Sequence, residues 1–96
     1  MRLITKQAVA AFRKGVPFKK SNTKVLVTPT FVAMYLHGNV IAMRETMRND
    51  GVHITTARWN TRTTRERLNG LGCSVADRKG QLYLNGVEWN GNLKQI

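Results

Sequence analysis

Residues 30–46 read TFVAMYL-HGN-VIAMRET: two runs rich in β-branched and aromatic residues around a short polar break. Such a pattern predicts an antiparallel hairpin, Thr30–Leu36 against Val40–Thr46. Gly38-Asn39 is expected to make its two-residue turn, with glycine at the first central position. The strand character extends outward. Lys24–Thr28 alternates, with Val25 and Val27 on one side. Asn49-Asp50-Gly51 is a turn signal, and Val52–Ala57 follows with Val52, Ile54 and Thr56 on one side. Cys73–Asp77 and Gln81–Leu84 form a last hairpin around Arg78-Lys79-Gly80, and Asn85-Gly86 is a further tight turn.

Two helices complete the pattern. Ile4–Lys14 places Ala8, Val9 and Phe12 on one face, with Thr5 as its cap. Gly15 suits the left-handed position just past its end, and Pro17 blocks continuation. The following segment, Phe18 to Lys24, is a basic polar connector. A second short helix spans Thr64–Asn69. Thr63 and Glu66 have capping-box spacing, and Gly70 is a stop signal. The order is α-β-β-β-β-α-β-β. The fold class is therefore α+β, a small antiparallel β-sheet domain with an N-terminal helix and a second short helix.

Ninety-six residues suffice for one domain, 1–96, and for one modest core. The single cysteine, Cys73, excludes an intramolecular disulfide and favours a reducing compartment. No apolar run approaches the ~18 residues of a membrane span, and the N-terminus lacks signal-peptide organisation. No membrane partner is expected.

Charge dominates the composition. Sixteen Lys and Arg stand against five Asp and Glu, a net charge of +11. Like charges destabilise a compact chain, and a polyanion relieves them. The first 24 residues carry Arg2, Lys6, Arg13, Lys14, Lys19, Lys20 and Lys24 with no acid. A second cluster, Arg58, Arg62, Arg65 and Arg67, surrounds Glu66 alone, and Arg78 and Lys79 occupy a hairpin tip. Arginine grips phosphate with two parallel bonds and stacks on bases. Trp59 lies between Arg58 and Arg62 and has two readings, a packed core or rim residue or a stacking platform for an unpaired base. Tyr35 and Tyr83 can likewise pack or stack.

Catalytic patterns are missing. His37, His53 and Cys73 show neither C-x-x-C nor H-x-x-x-H spacing, so no metal is expected. The acids Glu45, Asp50, Glu66, Asp77 and Glu88 form no local pair for acid–base work. No glycine run matches a nucleotide-binding fingerprint. No cofactor and no enzymatic activity are expected.

Several stretches resemble a family of small proteins encoded by tailed phages and prophages. They are Phe18-Lys-Lys-Ser-Asn-Thr23, Tyr35-Leu-His-Gly-Asn39, Trp59-Asn-Thr-Arg-Thr-Thr-Arg-Glu-Arg-Leu-Asn69, and Gly80-Gln-Leu-Tyr-Leu-Asn-Gly86 with Trp89-Asn-Gly91. The resemblance implies a phage gene product acting in bacterial host cytoplasm and carries no activity with it.

The residues themselves point to a non-catalytic binder of nucleic acid, single-stranded DNA or RNA, with weak sequence preference. Arg13, Lys14, Lys19, Lys20, Lys24, Arg58, Arg62, Arg65, Arg67 and Lys79 would hold phosphates, and Trp59, Tyr35 or Tyr83 would stack. A homodimer would enlarge the core and the binding length of so small a sheet domain. The alternative is a phage effector that docks on an acidic host protein such as a nuclease or polymerase. A minor virion or packaging component is a third reading.

Overall fold

A computed structural model describes residues 2–48 and 50–96. Among these the elements run α1 (Leu3–Lys14), β1 (Phe18–Lys20), β2 (Thr23–Val27), β3 (Phe31–Leu36), β4 (Asn39–Glu45), β5 (His53–Ile54), α2 (Arg62–Asn69), β6 (Val75–Arg78), β7 (Gln81–Leu84), β8 (Val87–Glu88) and β9 (Lys94–Gln95). The architecture is α+β, with antiparallel strand pairs throughout. A six-stranded sheet has the order β1-β2-β3-β4-β5-β9, and a second sheet the order β6-β7-β8.

The central hairpin pairs Phe31 with Glu45 and Leu36 with Asn39, with a bulge at Met34/Tyr35. Its turn is therefore His37-Gly38, one residue earlier than Gly38-Asn39. Both residues have positive φ, 51° and 81°, as the right-handed twist of a two-residue hairpin favours. Lys79-Gly80 and Asn85-Gly86 repeat that geometry between β6 and β7 and between β7 and β8. The basic connector after α1 also contains a strand, β1, which pairs Lys20 with Thr23. The expected Val52–Ala57 strand shortens to His53–Ile54, and β6 starts at Val75 rather than Cys73. In the turn expected at Asn49-Asp50-Gly51, Asn49 lies outside the described residues.

Both helices lie on one face of the large sheet. Ala8, Val9 and Phe12 of α1 pack with Val25, Val32, Met34 and Leu36 in a core that also includes Leu68 of α2 and Leu82, Leu84 and Trp89. Burying a side chain such as Phe12 contributes roughly 1.5–3 kcal/mol. Gly15 closes α1 in the left-handed region at φ 71°. The buried Arg44 guanidinium receives the same end of the helix: Nη2 donates to the Phe12 carbonyl at 2.7 Å and the Arg13 carbonyl at 3.1 Å. A cation there also suits the negative end of the helix dipole. Gly70 ends α2 in ordinary helical geometry. Its role is close approach, since a Cβ would lie 2.8 Å from Val9 Cγ2 and 2.9 Å from Thr5 Cγ2.

Two caps differ from expectation. Thr5 is not the cap of α1, because the helix begins at Leu3 and Thr5 is buried inside it. Thr61, not Thr63, caps α2: its hydroxyl accepts from the Thr64 N–H at 3.1 Å. The Glu66 carboxylate leaves the helix end and turns toward α1.

Candidate nucleic-acid interface

Among the described residues, the segment leading into α2 is where two consecutive non-glycine residues take positive φ. Ala57 and Arg58 both have positive φ, 52° and 66°. Each left-handed non-glycine residue costs roughly 1–2 kcal/mol, so the surroundings must hold the bend. Upstream, the Thr56 N–H and the Thr55 hydroxyl both donate to the Gly91 carbonyl, at 3.0 and 2.9 Å. The Ala57 N–H donates to the Thr55 hydroxyl at 3.0 Å. The Trp59 N–H donates to the Thr56 carbonyl at 2.8 Å, and the Thr61 N–H to the Trp59 carbonyl at 3.0 Å.

The result is an indole directed outward. Trp59 is 61% exposed, whereas Trp89 is 8% exposed and donates its Nε1–H to the Asn92 carbonyl. Beside Trp59 lies a recess of about 80 Å³. Leu36, Ile41 and Ala57 supply apolar walls, and His37, Asn39 and Thr61 supply hydrogen-bonding groups. Arg58 and Arg62 flank the indole in sequence and are exposed. Among the described residues neither has a carboxylate partner.

The other arginines of the cluster are structural. Arg65 Nη1 donates to Asn60 Oδ1 at 2.6 Å and lies 3.9 Å from Asp77 Oδ2. Asn60 in turn donates to Asp77 at 2.6 Å. The Gly80 N–H, Asn60 and Arg65 together hold the Asp77 carboxyl below its usual range. This group ties the start of α2 to the β6–β7 turn. Arg67, expected to meet phosphate, is 1% exposed. Its Nη1 donates to the Thr5 hydroxyl at 2.5 Å and to Glu66 at 2.8 Å, and its Nε to Thr23 at 3.2 Å. Burial pushes its guanidinium below an ordinary arginine. Glu66 is held below the usual carboxylate range by the Thr5 hydroxyl first, with Arg2 and Arg67 adding to it. Arg67 is thus a core residue. The signal was in the sequence: Thr64, Arg67 and Leu68 fall at i, i+3 and i+4, the buried stripe of α2.

The remaining basic residues do not join one stripe. Lys19, Lys24 and Tyr35 form a row across the helix-free face of the large sheet, with Lys24 Nζ 5.5 Å from the Tyr35 ring centre. Lys20 is exposed beside the β1–β2 turn. Arg13 and Lys14 occupy the last turn of α1, beside Arg44 and away from the Thr5 end that meets α2. Lys79 sits at the tip of the small sheet, and Arg78 lies over Tyr83 at 5.4 Å. His37 and Asn39 escaped the sequence reading as site residues, because nothing local to the hairpin turn announces that Trp59 will pack beside it.

Cys73 is half-buried, and its thiol donates to the Leu68 carbonyl at 3.2 Å. Burial pushes that thiol up, away from a reactive thiolate. Among the described residues no group of three or more His, Cys, Asp or Glu side chains is placed to hold a metal ion. No helix there is long and apolar enough to cross a membrane.

A family model described as Kyanoviridae Gp96 protein matches residues 1–94. No curated protein and no solved structure matches the chain. Since the family model spans nearly the whole sequence, the chain belongs to this family of bacteriophage proteins.

Proposed function

We propose that this phage protein binds single-stranded nucleic acid without catalysis, in the host cytoplasm, using the shoulder formed by Trp59 and the start of α2. The observation that carries the reading is the exposed indole held out by two left-handed residues, Ala57 and Arg58. A strained backbone that exposes a large aromatic lowers stability and persists where it serves a site. An unpaired base stacked on Trp59 would gain ~1–3 kcal/mol. Arg58 and Arg62, without acidic partners, would hold the flanking phosphates. The recess walls offer His37 and Asn39 to the edge of the base. A duplex hides its bases in the stack, so it would be bound less well.

The test is a gel-shift series with single-stranded DNA, RNA and duplex oligonucleotides at two salt concentrations. We expect single strands to be preferred, with log affinity falling against log salt at a slope near −0.7 per phosphate contacted. A duplex preference, or no shift at about 50 mM salt, would reject the reading. The second case would turn attention to an acidic host protein.

A further inference from the structure

Among the described residues no helix or strand packs on the face of the large sheet opposite the helices, yet that face is not polar. Strand register puts Leu26, Ala33 and Met43 in one row, with His53 and Gln95 continuing it. Phe31 and Tyr35 flank Ala33 along β3. A concavity of about 520 Å³ opens there, lined by Phe31, Val40, Met43, His53, Thr55 and Leu93. Leu93 is 65% exposed and Met43 38% exposed. Contiguous exposed apolar surface of this kind marks an interaction site.

Charge on this face is polarised diagonally, from β1 and β2 at one end of the strands to β4 at the other. Lys19 and Lys24 lie in the row of Tyr35, at the β1–β2 turn end. Glu45 pairs across from Phe31 at the other end, and Asp50 lines the concavity beside it. Two of the five acids of a +11 chain therefore stand on one patch. Arg48 lines the concavity too and engages Asp50 at 3.0 Å, which leaves Glu45, with no ion-pair partner among the described residues, as the net negative charge of this end. Carboxylates at one end disfavour a phosphodiester strand over this patch. A two-fold axis in the plane of the face, oblique to the strands, instead sets the lysine corner of one copy against the carboxylate corner of another. The apolar middle then meets itself.

We propose that this face is a self-association surface that joins two copies of the chain through Met43, Phe31 and Leu93, with opposite charges meeting at its two ends. The assembly is isologous, as two-fold pairs are, and leaves the Trp59 shoulder of each copy outside the contact. The proposal does not depend on nucleic-acid binding.

The experiment is sedimentation equilibrium without nucleic acid, up to about 200 μM protein, where an affinity in the micromolar range is fully expressed. The expected mass is twice 10.9 kDa. Met43→Lys puts a charge into the middle of an exposed row, and Leu93→Lys does so from the neighbouring edge. Each variant should stay at 10.9 kDa and melt at the temperature of wild-type protein diluted until it too is monomeric. Wild-type protein that remains a monomer at the highest concentration overturns the proposal. So do two folded variants that associate as the wild type does. Oligonucleotide affinity, measured on the same variants, should be kept at the level of the single site, so loss of the dimer and loss of binding are separate results.

Discussion

Arg62 and Arg67 stand in the same short helix and have opposite roles. Arg62 faces solvent. Arg67 joins α1, α2 and β2 by donating to Thr5, Glu66 and Thr23. Its buried charge is tolerable because Nε and Nη1 meet three oxygens and Glu66 balances it. Truncating it leaves a cavity and strips two buried hydroxyls of a donor. We predict that Arg67→Ala lowers stability by about 2–4 kcal/mol, read as a shift in urea midpoint, while Arg62→Ala stays within about 0.5 kcal/mol of wild type. Equal effects would contradict the assignment. Counting arginines in a cluster could not separate the two. Placing them on the helical stripe of Leu68 would have done so, because the buried face of α2 follows the usual 3.6-residue period.

At the scale of elements, the hairpins were readable and the helix start was not. The central hairpin, the helix after Met1 with its Gly15 stop, and the β6–β7 hairpin all follow from alternation and turn chemistry. The His37-Gly38 turn puts glycine at the second central position, as a turn with positive φ at both positions favours, and the bulge at Met34/Tyr35 shifts the register around it. Strand β1 was hidden by its composition. Phe18-Lys-Lys reads as a charged linker, yet pairing with β2 needs only backbone groups. At α2, two threonines compete for the cap. Thr63 has the right spacing to Glu66, but the pull of Thr5, Arg2 and Arg67 takes that carboxylate away. Thr61→Ala should therefore cost about 1 kcal/mol, and Thr63→Ala a few tenths of that, in chemical denaturation. The reverse order would restore the capping box.

Across the whole molecule, composition gave the sign of the surface and not its layout. Arg2, Arg48, Arg65 and Arg67 engage acids, Arg44 serves a helix end, and the lysines lie on several faces. What concentrates is one aromatic with two arginines, Arg58 and Arg62, that have no carboxylate partner among the described residues, at a strained bend. The sequence placed Trp59 among arginines but left its exposure open, because that depends on Ala57, which is no turn residue, and on a hydrogen bond to Gly91 from far along the chain. The direct measurement is Trp59 emission during titration with a single-stranded oligonucleotide at about 50 mM salt, where phosphate contacts are strong. We predict saturable quenching of the wild-type signal and, for a folded Trp59→Ala, an affinity weaker by roughly 5–150-fold, the ratio that corresponds to ~1–3 kcal/mol per stacked base. Unquenched emission, or a folded Trp59→Ala that binds as tightly as the wild type, would contradict it.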